Sequence, residues 1–395
     1  MPGPLDGVRI IDCSAVISGP LGTMTLADQG ADVIKVEPPA AGDITRTPWF
    51  SRGGLSALFA NANRGKRSIA LDLQQEQGRD ILKKLVADAD VLVQNFRPGA
   101  MERLGLGEAD LRAINPDLIY VSISGFGESG PYAERRVYDP VIQGLTGQIA
   151  VQRLPGGSGP VDLIRHIVCD KSTALTAAQA ITAALFARER GQGGQHVRVA
   201  MIDAGLAFFW CDGMLAHTFV GDGVEPAAAL YDIYKLRETA DGPMVIFAVS
   251  DSEFHGMARA LKREDLIEDP RFTTLGDRIQ NIEVLEEIIN SEFAKWPSAE
   301  LVERLVAEDV PAGPVHSLEE VITDPQIAHN ESIVEYDHPH AGRIRQPAPA
   351  AKFDRTQASV GRPPPMLGEH TDEVLGELGL DSGTVAKLRD GGVVS

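Results

Sequence analysis

The sequence predicts an α/β fold, a mainly parallel sheet with helices on both faces, followed by a smaller α+β domain. Two observations carry that expectation. The first 125 residues alternate strand-like and helix-like runs across short loops, the pattern of crossover units. After about residue 230 the character changes to charged amphipathic helices behind one strand pair. A sheet of crossover units is covered on both faces by its own helices.

The elements follow in order. Residues 8–11 form a short β-branched run, and residues 21–29 read as a helix that Gly30 ends. Residues 32–37, DVIKVE, read as a strand stopped by Pro38 and Pro39. Residues 68–73 alternate like a strand. Residues 76–88 place Ile81, Leu82, Leu85 and Val86 on one helical face. Strands at 91–95 and 118–124 flank a helix at 108–114. Residues 171–190 form the longest helix, Ala-rich, with Asp170 expected as its N-cap and Gly191 as its stop. A strand returns at 196–201. Residues 221–226 read as a linker, and the second domain opens with strands at 231–236 and 244–249 around the Asp241-Gly242 turn. Residues 347–365 are proline-rich and extended, and 370–388 hold one or two short helices.

Composition narrows the function. The chain carries 37 basic and 56 acidic residues, a formal charge of −19, which argues against nucleic-acid and anionic-membrane partners. It has no apolar run of the roughly 18 residues that a membrane helix needs. Three scattered cysteines, Cys13, Cys169 and Cys211, give no disulfide framework and point to a reducing, cytoplasmic setting. The nine histidines contain no HExxH, and no metal site is expected.

Three candidates carry chemistry. Gly125-Phe-Gly127-Glu-Ser-Gly130 matches G-x-G-x-x-G after a strand, but Pro131 and a polar stretch follow where a dinucleotide site needs a helix. It reads as a loop over an active site. Asp170 is the second candidate. At a helix N-terminus a carboxylate is stabilised as the anion. Two readings stand for it: a plain helix N-cap, or a nucleophile that needs no helping base to attack a thioester, whose displaced thiolate is a competent leaving group. Neighbouring Cys169 has no histidine motif to activate it and reads as a packing residue. The third is a basic set, Arg97, Arg103, Arg135 and Arg136, with Asn95 and Tyr138, on loops at the carboxyl ends of predicted strands. Arginine forks suit phosphate groups.

These segments together resemble the family III CoA-transferases, the group of formyl-CoA transferase, carnitine CoA-transferase and α-methylacyl-CoA racemase. The matching stretches are PLDGVRIIDCS, GPLGTMTLADQGADVIKVEPP, NRGKRSIALDL, VLVQNFRPGAMERLGL, INPDLIYVSISGFGESGPY, GQGGQHVRVAMIDAG and LGEHTDEVLGELGL, in order along nearly the whole chain. The resemblance implies a Rossmann-like large domain built from residues 1–220 and 330–395, a small domain at 221–329, and an interlocked homodimer. It implies that coenzyme A moves from an acyl-CoA donor to a carboxylic acid acceptor. Asp170 matches the catalytic aspartate. Val16, Leu71, Asn95, Phe96, Arg97, Arg103, Arg136, Tyr138 and Met201 match CoA-contact positions. The alternative within the family is racemisation by proton exchange at C2. That branch pairs its aspartate with a histidine, where this chain has Tyr138, and uses a glutamate whose counterpart here is Asp251. Formyl-CoA transferase has glutamine and arginine where this chain has Ile17 and Pro38.

Overall fold

The computed structural model describes residues 2–153, 161–225, 227 and 229–395. The chain divides into two compact units. One comprises Met1–Arg153, Gly159–Leu215 and Ala328–Ser395, and the other centres on Ala216–Ile327.

The first unit is organised by six strands: β1 (Arg9–Asp12), β2 (Asp32–Glu37), β3 (Lys66–Ala70), β4 (Val91–Gln94), β5 (Ile119–Ser124) and β6 (His196–Ala200). Every pairing between them is parallel, in the order β3-β2-β1-β4-β5-β6. This is the doubly wound order, whose direction of winding reverses between β1 and β4.

Successive strand residues point to opposite faces. Ile10, Val33, Val91, Val93, Ile119 and Val121 pack with Leu26, Ala177, Ile181 and Leu185. Those four lie on helices α1 (Ser18–Asp28) and α5 (Val168–Ala187). Ile11, Ile34, Ile69, Leu92 and Tyr120 face the other way. They pack against α2 (Glu76–Ala87) and α3 (Glu108–Ile114), and against α7 (Thr371–Glu377) and α8 (Ser382–Asp390) from the far end of the chain. The C-terminal tail is also tied by backbone: the Asp72 N–H donates to the Val393 carbonyl at 2.8 Å. Two further helices, α4 (Asp139–Leu145) and α6 (Met201–Gly213), flank the start of α5.

Several elements differ from the sequence expectation. α1 begins three residues earlier than expected, at Ser18, because Pro20 fits the first turn, where no N–H is needed. β3 begins two residues earlier and takes in Lys66 and Arg67. α5 begins at Val168, so Asp170 lies inside the first turn and is not the N-cap; that place belongs to Ile167. α4 and α6 were not anticipated.

Charged residues inside the sheet explain the shifted β3. Lys66 is fully buried and its ammonium donates to Asp12, Asn63 and the Pro20 carbonyl, each at 2.8 Å. Asp12 also accepts from Thr23 at 2.7 Å. Buried Lys35 pairs with Asp43 at 3.0 Å and donates to the Ser14 carbonyl at 2.9 Å. Burial pulls the Lys66 amine down to about 8, although Asp12 opposes the shift. Removing one member of such a network strands the others without water. Lys66→Ala is therefore expected to destabilise the unit by about 3–5 kcal/mol, read as a lower urea midpoint.

The second unit contains an antiparallel sheet of Leu236–Glu238, Pro243–Ile246 and Ala312–Pro314. The strand expected at 231–236 is instead a helical turn, Leu230–Ile233. The tight Asp241-Gly242 turn pairs Pro243 with Glu238, which draws the first strand toward the turn. Helices Asp251–Ala260, Ile282–Phe293 and Ser298–Ala307 close over Phe254, Phe272, Phe293, Leu301 and Leu305. Asp251 is ion-paired to Arg278 within this unit.

Candidate active site

A cavity of about 300 Å³ opens in the first unit at the carboxyl ends of β1, β4 and β5. That is the winding-reversal point, where ligands of open parallel sheets bind. Val16 and Ser18 come from the turn after β1, Asn95–Pro98 from the turn after β4, and Ile123–Gly125 from the end of β5. Arg135, Arg136 and Tyr138 line it from the loop before α4, Asp170 from α5 and Met201 from α6.

The turn after β1 is held in a costly shape. Val16 has φ +70°, a conformation that β-branched residues avoid. Its N–H donates to both carboxylate oxygens of Asp43 at 3.2 Å, and Asp43 is the partner of Lys35. Asn95 reaches across from the turn after β4. Its amide donates to the Ala15 carbonyl at 2.7 Å, and its oxygen accepts the Ala15 N–H at 2.8 Å. The buried ion network and this two-bond clamp thus place Ser18 at the cavity floor.

Asp170 is 8% exposed. Its Oδ1 accepts a hydrogen bond from the Ser18 hydroxyl, and its N–H donates to Asp139 Oδ2 at 2.9 Å. Asp139 in turn accepts from Gln143 at 2.5 Å, and the Gln143 side chain both donates to and accepts from the Ile164 backbone ahead of α5. Desolvation pushes the Asp170 carboxyl above the usual carboxylate range; the Ser18 hydrogen bond works against this and the Asp139 charge adds to it. The neighbouring Cys169 thiol is pushed up to about 12 by burial and stays protonated. It packs with Ile142, Val168 and Met201.

Of the ten site residues expected from sequence, eight line this cavity: Val16, Asn95, Phe96, Arg97, Arg136, Tyr138, Asp170 and Met201. Leu71 does not. It lines a neighbouring cavity of about 260 Å³ with Lys35, Asp43 and Gln74, and Phe96 faces both spaces. Arg103 lines neither. It ends the short helix Ala100–Arg103, exposed, with its guanidinium beside Gly99. Arg135, read only as part of the basic set, does line the main cavity, and its guanidinium stacks 3.8 Å from the centre of the Tyr132 ring. The Gly125–Gly130 loop opens no helix. Gly125 lines the cavity, and a Cβ there would fall 2.1 Å from Val137 Cγ1, so only glycine lets the Val137 loop close in. Among the described residues no group of three acidic, histidine or cysteine side chains is placed to hold a metal ion.

Comparison with known proteins gives this arrangement a family. Residues 5–371 match the family described as CoA-transferase family III. The chain belongs to CoA-transferase family III. Mouse succinyl-CoA:glutarate CoA-transferase is 35% identical over 99% of this chain and 90% of its own length. Succinyl-CoA:mesaconate CoA-transferase of Haloarcula marismortui is 37% identical over 97% of this chain and 98% of its own length. The crystal structure of a CAIB/BAIF family protein from Brucella suis superposes with a TM-score of 0.83 at 34% identity, covering 96% of this chain and 100% of that one.

Three residues of this CoA-transferase's site were not anticipated from its sequence. Ser18 stands in a Ser-Gly-Pro stretch just ahead of the helix expected at 21–29, although a proline shortly after a serine is itself a helix-start signal. Asp139 precedes Pro140 at the start of α4, the same kind of signal. Gln143 carries none, since its role depends on contact with residue 164.

Proposed function

We propose that this CoA-transferase moves coenzyme A between short dicarboxylic acids through covalent intermediates on Asp170. The observation that carries the reading is one buried carboxylate, oriented by a hydroxyl, in a cavity lined by Arg97, Arg135 and Arg136. The relatives' names supply the acid class: succinyl-CoA, glutarate and mesaconate all belong to dicarboxylates.

In this reading the exchange runs in covalent steps. Asp170 attacks the acyl carbonyl of the donor, and the thioester C–S bond breaks, giving a mixed anhydride and CoA thiolate. The thiolate attacks the aspartyl carbonyl and expels the donor acid, leaving an aspartyl-CoA thioester. The acceptor carboxylate then reverses both steps. Dividing the exchange this way replaces one difficult displacement by several accessible ones. The arginines supply charge for the CoA phosphates and the distal carboxylate. Phe96, facing both cavities, and Leu71 in the second offer apolar surface for the nucleotide end of CoA. Burial of Asp170 keeps water from the anhydride.

The active form in this reading is the interlocked homodimer. Exposed Leu175, Phe186, Phe208 and Trp210 on α5 and α6 support it, and light scattering at the mass of one chain would contradict it. The acid class is tested by exchange from succinyl-CoA to a panel of acids. Glutarate and mesaconate are expected to be used at least about tenfold better than butyrate, the value of one charge-assisted contact. Equal use of butyrate would remove the dicarboxylate assignment and leave CoA transfer standing.

A further inference from the structure

We propose that Ser18 is a catalytic residue: its hydroxyl fixes which oxygen of Asp170 attacks, then donates to that side chain's carbonyl oxygen when CoA attacks it. This rests on Asp170 acting as the nucleophile. The contact joins residues 152 positions apart, and both are nearly sealed, with Ser18 at 4% and Asp170 at 8% exposure. The hydroxyl is placed by backbone. Ser18 opens α1, whose approach to α5 is so close that a Cβ on Gly22 would lie 3.0 Å from the Ala174 carbonyl oxygen. The strained Val16 turn, tied to Asp43, and the Asn95 clamp on Ala15 fix the segment leading into it.

The chemistry follows from which oxygen is occupied. Ser18 holds Oδ1, which leaves Oδ2 as the nucleophile. Oδ2 forms a bond to the donor acyl carbon, and the C–S electron pair departs as CoA thiolate. Oδ1 is then the carbonyl oxygen of the aspartyl half of the anhydride. When the thiolate bonds to Asp170 Cγ, the carbonyl π pair moves onto Oδ1, where the Ser18 O–H already points. Collapse re-forms the carbonyl and breaks Cγ–Oδ2, and the pair leaves with the donor carboxylate. Ser18 keeps its proton throughout. A donor preorganised toward an oxygen that becomes negative contributes far more than one that must reorient. The loop N–H of Gly127 is already donated to Ser124 Oγ at 3.0 Å, so that amide is committed elsewhere. The charged and titratable groups around Asp170 are Asp139 from α4, the neighbouring Cys169 thiol on α5, and Arg97, Glu134, Arg135, Arg136 and Tyr138 from the cavity wall.

The test uses Ser18→Ala and the near-isosteric Ser18→Cys, whose thiol is a weak donor. Both are expected to lower kcat, Ser18→Ala by about 10²–10³-fold, the usual loss for one oxyanion donor. The acid limb of kcat/KM should move to higher pH, because the lost hydrogen bond stabilised the ionised carboxylate. CoA released in the first step is recaptured more slowly, so free thiol should appear as a burst equal to the enzyme concentration. CoA affinity should stay within about threefold, since the hydroxyl acts on the reacting bond and not on bound CoA. If Ser18→Ala fails to fold, Ser18→Cys carries the same readouts. Folded variants with near-normal kcat and an unmoved acid limb would overturn the inference. An Asp170→Ala control separates the two ideas: if it is inactive while the Ser18 variants are normal, only the role of Ser18 is lost. If it turns over, the covalent reading falls with it.

Discussion

Replacing Asp170 with alanine is expected to lower the rate of CoA transfer by at least about 10⁴-fold, because in the proposed mechanism Asp170 takes part in every covalent step. CoA affinity should change little. The Asp170 carboxylate lies on the cavity floor, while Arg97 stands on the turn after β4 and Arg135 and Arg136 on the loop before α4. The fold should survive as well. Asp170's backbone N–H, which donates to Asp139, is retained in alanine, and the lost carboxylate was raised in pKa by its own desolvation. Thermal melting and CoA titration check both points. A variant that binds CoA normally and transfers nothing assigns the loss to chemistry.

The second large effect is on binding. Arg97→Ala and Arg136→Ala should each raise KM for acyl-CoA about 10- to 100-fold, since a hydrogen bond to a charged group contributes about 1.5–3 kcal/mol. The chain is strongly acidic, at −19, so a polyanionic ligand depends on local basic charge. The wild-type KM should also rise with salt, and the rise should be smaller in the variants. Arg103→Ala is expected to have the smaller effect of the three arginines, because it lies outside the cavity wall.

Much of this was legible in the sequence, and what was missed shares a physical cause. Residues 32–37 and 76–87 announce themselves, because a β-branched run ended by two prolines and a helical face of Ile81, Leu82, Leu85 and Val86 are local patterns. Lys66 is the opposite case. A lysine argues against a buried strand unless a carboxylate waits for it, and Asp12 stands 54 residues away. The start of α5 shifted for a similar reason: Asp170 looks like an N-cap, yet Ile167 takes that place. At the site, motif matching named residues whose types suit phosphate and thioester chemistry. It gave no sign that Asn95 spends part of its amide on Ala15, nor that Ser18 meets Asp170, because both contacts join distant parts of the chain. The parallel sheet brings them together at its winding-reversal point.

The most direct test of covalent transfer is the intact mass of the protein after mixing with succinyl-CoA, rapid quenching and trapping with hydroxylamine or borohydride. The account predicts a stoichiometric modification that peptide mapping places on Asp170, and that is absent from Asp170→Ala. An unmodified chain during active turnover, or a modification on another residue, would contradict it.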